Sequence, residues 1–176
     1  MTKIFIVSDT HFNHSTMIEQ GWRGFRTVES MNEFIISQWN KTVGKEDTVY
    51  HLGDVVMNIK EHFYTNILPR LNGKIIFIRG NHDNQKMSMI DNLIISWRGE
   101  QYELVHSPYN CTESVKIVLH GHIHQSGRRA SIGKCIKPHL YQSVDFITYY
   151  NCNLEFHKYK PKLLNEIVGE CKSKSL

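Results

Sequence analysis

The sequence predicts an α/β fold. Short apolar runs of strand length recur at Lys3–Ser8, Asp47–Leu52, Lys74–Arg79, Gln101–Val105 and Val115–Leu119. Helically spaced apolar residues separate the first three of them, as in alternating α/β chains. Each run stops at a polar cluster holding Asp, Asn or His.

Lys3–Ser8 has the continuous apolar pattern of a strand buried on both faces. A glycine-containing loop through Trp22-Arg23-Gly24-Phe25-Arg26 follows it. Val28, Met31, Phe34, Ile35, Gln38 and Trp39 then keep helical spacing over about 15 residues, with Thr27 as N-cap and Gly44 at the exit. A second helix is expected over Ile59–Leu68, with Phe63 and Ile67 inward and Pro69 limiting it. Asn72-Gly73 turns into the third strand. Leu93–Trp97 and Gln101–Val105 flank Arg98-Gly99-Glu100 as a hairpin. A strand near Asn151–Phe156 and a helix over Leu163–Gly169 complete the element order. Residues 1–170 read as one domain and residues 171–176 as a polar tail.

Composition narrows the function class. Lys and Arg number 21 against 17 Asp and Glu, a net charge of +4, which suits phosphate-bearing ligands but is too weak for a protein that coats duplex nucleic acid. No apolar run approaches the ~18 residues a membrane helix needs. The apolar stretch at the N-terminus, Ile4–Val7, is too short for a secretory signal. A cytoplasmic protein with reduced thiols is therefore expected. Cys111, Cys135, Cys152 and Cys171 form no Cys-x-x-Cys pair, so no structural zinc site is expected either.

The eleven histidines are the informative residues. Five apolar strands end at Asp9 and His11, at Asp54, at Asn81 and His82, at His106, and at His122 and His124. Residues at i and i+2 in extended backbone project from one side, so Asp9/His11 and His122/His124 each offer two donors to one centre. Gly53, Gly80 and Gly121 stand beside these donors, where tight backbone helps aim side chains. Ligands of open α/β sheets bind outside the carboxyl ends of strands. Two carboxylates, an amide and several imidazoles suit Mn, Fe, Zn or Ni and are too rich in nitrogen for calcium. They exceed what one tetrahedral ion needs, so two divalent ions sharing a carboxylate is the economical reading. His51, His62 and His157 read instead as core or capping residues, and Trp22 and Trp39 as core.

In this order, Asp9-Thr10-His11, Gly53-Asp54, Gly80-Asn81-His82-Asp83, His106 and Gly121-His122-Ile123-His124 resemble the motifs of the calcineurin-like metallophosphoesterase superfamily. The likeness is to its small, cap-less branch, common in bacteria and phages. It implies a four-layer sandwich of two mixed β-sheets flanked by helices. It also implies one metal on Asp9, His11, Asp54 and His124 and another on Asp54, Asn81, His106 and His122, with Asp54 bridging and Mn the first choice. Asn81 and His82 would contact the phosphate. His82 would protonate the leaving oxygen, oriented by Asp83. Val55-Val56-Met57-Asn58 departs from the acidic or arginine residue many members carry after Gly-Asp.

The expected activity is hydrolysis of a small phosphodiester, a nucleotide or cyclic (di)nucleotide, by a metal-activated hydroxide. His14, Arg23, Arg26, Arg128 and Arg129 follow ligand motifs and are candidate substrate contacts. A phosphomonoesterase is the alternative enzyme, and a non-catalytic nucleotide- or partner-binding scaffold the alternative class.

Overall fold

The computed structural model describes residues 2–57, 60–83, 88–112, 114–125, 141–144 and 146–173. Strands β1 (Ile4–Val7), β2 (Thr48–His51), β3 (Lys74–Phe77) and β9 (Lys162–Leu163) form one sheet in the order β3-β2-β1-β9. Strands β4 (Asn92–Trp97), β5 (Glu100–Val105), β6 (Ile117–His120), β7 (Tyr141–Val144) and β8 (Ile147–Asn151) form the other, ordered β4-β5-β6-β8-β7. Both sheets are mixed. β1, β2 and β3 run parallel while β9 pairs antiparallel with β1. β5, β6 and β8 run parallel between antiparallel edges β4 and β7. With helices flanking them, this is the metallophosphoesterase architecture.

Alternation along β1 builds two cores at once. Phe5 and Val7 face α2 (Val28–Thr42) and pack with Met31, Ile35, Ile36 and Trp39. Ile6 faces the other way, into a layer made with Leu104, Leu119 and Tyr150 of the second sheet. Leu164, Ile167 and Val168 of α4 (Leu164–Ser173) join that inner layer. A smaller cluster of Val105, Val118, Ile123 and Tyr149 covers the second sheet's outer face.

α2 begins where expected. Thr27 Oγ1 accepts from the Ser30 amide and Ser30 Oγ accepts from the Thr27 amide, both at 3.1 Å, a reciprocal cap that satisfies two otherwise orphaned N–H groups. Trp39 is fully buried and donates its indole N–H to Asn72 O at 2.8 Å, which ties the helix to the turn before β3. Phe34 does not join the buried stripe. It is 39% exposed and meets Phe25 and Tyr159 ring to ring on the surface.

Several elements differ from the sequence reading. The helix expected over Ile59–Leu68 is a mixture: α3 (Lys60–His62), a π-turn at Phe63–Ile67 and a 3-10 turn at Leu68–Arg70. Phe63 and Ile67 are both buried, as expected, although the turn that carries them is π-wound ahead of Pro69. The strand placed near Asn151–Phe156 lies earlier, at β8, and Leu154–His157 is a 3-10 turn. The short α1 (Thr16–Glu19) and β7 went unread. His51 and His157 are core histidines, stacked on Trp39 and Tyr150, and His62 is exposed.

Candidate metal centre

Parallel register brings the donors to one rim. Val7 pairs with His51 and His51 with Phe77, so the exits of β1, β2 and β3 are level. Leu104 pairs with Leu119 and His120 with Asn151, which levels the second sheet's exits. The two sheets join through Ser8, whose amide donates to Cys152 O and whose carbonyl accepts from Leu154 N. Asp9, directly beyond, sits at the seam.

The backbone at the rim is unusual. Asp9, His11, Asp54 and His122 all have positive φ, at 58°, 49°, 55° and 67°. Gly53 (φ 91°) and Gly80 cross so closely that a Cβ on Gly53 would lie 2.5 Å from Gly80 N. A Cβ on Gly121 would overlap the Ser8 hydroxyl and the Asp9 carboxylate. Backbone meets backbone at Gly53 and Gly80 within the first sheet, and Gly121 of the second sheet sits directly against the Ser8 and Asp9 side chains of the first.

Seven expected donors converge. His11 Nε2 lies 3.8 Å from Asp9 Oδ1 and 3.6 Å from Asp54 Oδ2. His106 Nε2 lies 3.5 Å from Asp54 Oδ2, and His124 Nε2 3.6 Å from Asp9 Oδ1. Asn81 Oδ1 sits 2.9 Å from both His106 Nε2 and His122 Nδ1. Among the described residues, Asp9 with His11 and His124, and Asp9 with Asp54 and His106, form two groups with the spacing of metal ligands.

The imidazoles test whether a cation fits. Three of them tie one nitrogen away from the centre: His106 Nδ1 to Leu52 O at 2.8 Å, His124 Nδ1 to Glu155 Oε1 at 2.8 Å and His11 Nδ1 to His14 Nδ1 at 3.1 Å. Leu52 O and Glu155 Oε1 only accept, so His106 and His124 donate to them through Nδ1 and turn Nε2 toward a carboxylate. The resulting gaps of 3.5–3.8 Å exceed a hydrogen bond and match two ligands about 2.0–2.2 Å from one cation. His11 Nε2 is buried with no hydrogen-bond partner. The donor set therefore fits divalent metal.

Electrostatics agree with that fit. Burial raises Asp9, against the neighbouring His106 and His124, so its charge wants a partner. Burial and the nearby Arg23 hold His11 well below the usual imidazole range, as a neutral ligand requires. Burial and His82 take His14 to about 4, so it too is held neutral.

Other expectations are redirected. Arg23 is buried and donates to Asp9 O at 2.6 Å, Thr10 O at 2.8 Å and Glu155 Oε1 at 3.0 Å. It braces the β1 exit from behind and is not free to hold a substrate. Arg26 is exposed. Arg128 and Arg129 lie outside the described residues. The Asp83 carboxylate accepts from the amides of Gly80, Asp54 and Val55 at 2.8, 2.7 and 2.9 Å. It clamps the β2 and β3 exits together through the backbone, which differs from the expected role of orienting the His82 ring. His82 donates its amide to Asp54 Oδ1 at 2.9 Å, and its Nε2 lies 4.0 Å from Asp54 Oδ2. His14 joins the cluster through His11.

Glu155 was missed, because no motif marks it. It stands in the 3-10 turn after β8, where Asn153 Oδ1 accepts its amide, and it links His124 to Arg23. Burial would raise this carboxyl, but the His124 bond and Arg23 together bring it to about 2. The same bond and Asp9 lift His124 against burial. A carboxylate behind a ligating imidazole fixes its tautomer and raises its basicity. Glu155→Gln should weaken metal binding by roughly 10–100-fold, measured by competition with a chelator, and should also lower the unfolding midpoint of the metal-free protein, because the buried Arg23 loses its counter-charge.

Comparison with known proteins gives the chain's relatives. The protein of unknown function AQ665 from Aquifex aeolicus shares the fold at a TM-score of 0.72 and 24% identity, over 96% of this chain and 99% of that one. The E. coli phosphoesterase YfcE matches at a TM-score of 0.50 and 16% identity, over 85% and 78%. The uncharacterized protein MJ1445 of Methanocaldococcus jannaschii is 38% identical over 178 residues, 96% of this chain and 90% of its own length. Residues 2–137 match the family model of the calcineurin-like phosphoesterase superfamily domain, a span holding every strand exit that supplies the cluster. The chain belongs to the calcineurin-like phosphoesterase superfamily.

Proposed function

We propose that this protein is a two-metal phosphodiesterase acting on small nucleotide-type diesters. The observation that carries the reading is the position of Asp54, whose Oδ2 has His11, His106 and His82 at 3.6, 3.5 and 4.0 Å. One ion would be held by Asp9, His11, Asp54 and His124, the other by Asp54, Asn81, His106 and His122, with Mn preferred and Fe, Ni or Zn suited to the same donors. When bound, the cations polarise phosphoryl oxygens and acidify water. Asp54 then sets the spacing of the two positions. His82, part-buried beside Asp54, would donate a proton to the leaving oxygen.

Charge supports a diester over a monoester. A monoester carries more negative charge, and Arg23 is already spent on backbone carbonyls and Glu155. Assay with Mn, Ni, Mg and Zn should give faster turnover of bis-(p-nitrophenyl) phosphate than of p-nitrophenyl phosphate. The reverse preference would make the protein a phosphomonoesterase, and metal binding without turnover of either a scaffold.

His82→Ala should keep both metals and lose about 10²–10⁴-fold in rate on substrates with alkoxide leaving groups, with a smaller loss on nitrophenyl esters, whose leaving group departs unaided. Metal analysis beside the kinetics checks this. Loss of metal would make His82 a ligand instead.

A further inference from the structure

A cleft of about 430 Å³ opens directly beside the cluster, and Asn81, His106 and His122 form its inner wall. Its outer wall carries Arg79, Asp91, Ser107 and Asn110. None of these four belongs to the motifs that mark the metal centre. A substrate phosphate held at the cluster would project one of its ester groups into this space.

The outer wall has hydrogen-bonding capacity that the fold does not use. Arg79 is held through a single bond, from Nε to Asp91 Oδ1 at 2.8 Å. Among the described residues its Nη1 is buried with no hydrogen-bond partner, a costly arrangement for a cationic donor, while the side chain as a whole is 31% exposed and lines the cleft. Among the same residues Ser107 and Asn110 bond to each other only through the backbone, Asn110 N to Ser107 O at 3.0 Å, and the Ser107 hydroxyl and Asn110 carboxamide are left uncommitted. The 3-10 turn Pro108–Asn110 fixes their positions immediately after His106.

Charge decides what the cleft suits. Arg79 and Asp91 form an ion pair, so the wall presents donors and acceptors together without net charge. A second phosphate would meet the Asp91 carboxylate as well as the guanidinium. An uncharged group with both donors and acceptors meets complementary partners throughout. Val105 adds an apolar patch to the wall.

We infer that this cleft is the subsite for the nucleoside portion of the substrate, with Arg79 its principal specificity residue. The inference rests on the phosphodiesterase reading and adds which ester group is recognised, and where. Arg79 reads acceptors on the base or sugar through its planar fork, and Asp91 keeps that fork in place. Ser107 and Asn110 supply the short-range contacts.

The test compares adenosine 5′-monophosphate with inorganic phosphate, titrated calorimetrically into the manganese-loaded protein. Wild type should bind the nucleotide more tightly than phosphate. Arg79→Ala should cut that preference about tenfold or more, the usual effect of losing a charged hydrogen-bond donor, and Asn110→Ala by a smaller factor. The second variant changes an exposed side chain, which keeps the test valid if Arg79→Ala folds poorly. Equal affinity for nucleotide and phosphate in wild type, or an unchanged preference in both variants, would overturn the subsite while leaving hydrolysis of bis-(p-nitrophenyl) phosphate to stand. Absence of both binding and hydrolysis would overturn the phosphodiesterase reading, and this subsite with it.

Discussion

Asp54→Asn is expected to reduce phosphodiester hydrolysis by more than about 10³-fold and to lower the bound-metal count, as read by metal analysis and steady-state rates. The substitution is isosteric and asparagine tolerates the left-handed backbone at φ 55°. Its carbonyl oxygen still accepts the His82 amide, so the rim keeps its shape. What goes is the charge between His11 and His106. A variant with two metals and near-normal rate would show that Asp54 does not bridge.

Gly121→Ala is expected to be equally damaging for a different reason. The added Cβ would fall 2.6 Å from the Ser8 Cβ and closer still to the Ser8 hydroxyl and the Asp9 carboxylate. Ser8 is fully buried and its hydroxyl bonds Leu52 O at 3.0 Å, so it has nowhere to retreat. Forcing atoms into such a packed site costs about 1–3 kcal/mol or more, and here the displaced group is a carboxylate of the candidate metal centre. Denaturant midpoint and metal affinity should fall together. Gly169→Ala is the control. It lies exposed in α4 with nothing near its Cβ position, and should raise stability by about 0.5–1 kcal/mol.

The candidate centre was legible because strand exits are written locally. Each apolar run stops within one or two residues of its donor, so Asp9, Asp54, Asn81, His106 and His122 could be read before any register was known. Sheet pairing was not needed, because parallel strands of similar length end level. Glu155 and Arg23 escaped for the opposite reason. Their roles depend on a contact across 132 positions of sequence, which no local pattern encodes. From sequence Arg23 reads as a loop cation for substrate, and only tertiary structure shows it buried against carbonyls. The helix near Phe63 was legible in its buried positions and not in its winding, because π and 3-10 turns carry the same apolar residues at slightly altered spacing. β7 was missed because Tyr141-Gln142-Ser143-Val144 has too few apolar residues to signal a strand.

The left-handed backbone at Asp9, His11, Asp54 and His122 sets function against durability in this protein. A residue with a Cβ is conformationally disfavoured there, and histidine has less recourse than aspartate to local hydrogen bonding that would relieve it. Glycine would relax all four positions, so the mutations that most ease the backbone are the ones that erase the donors. Selection for robustness alone would drive this rim toward an inert, more heat-resistant loop set. Two aspartates and two histidines held in that conformation mark a protein kept away from its own stability optimum by the chemistry it performs.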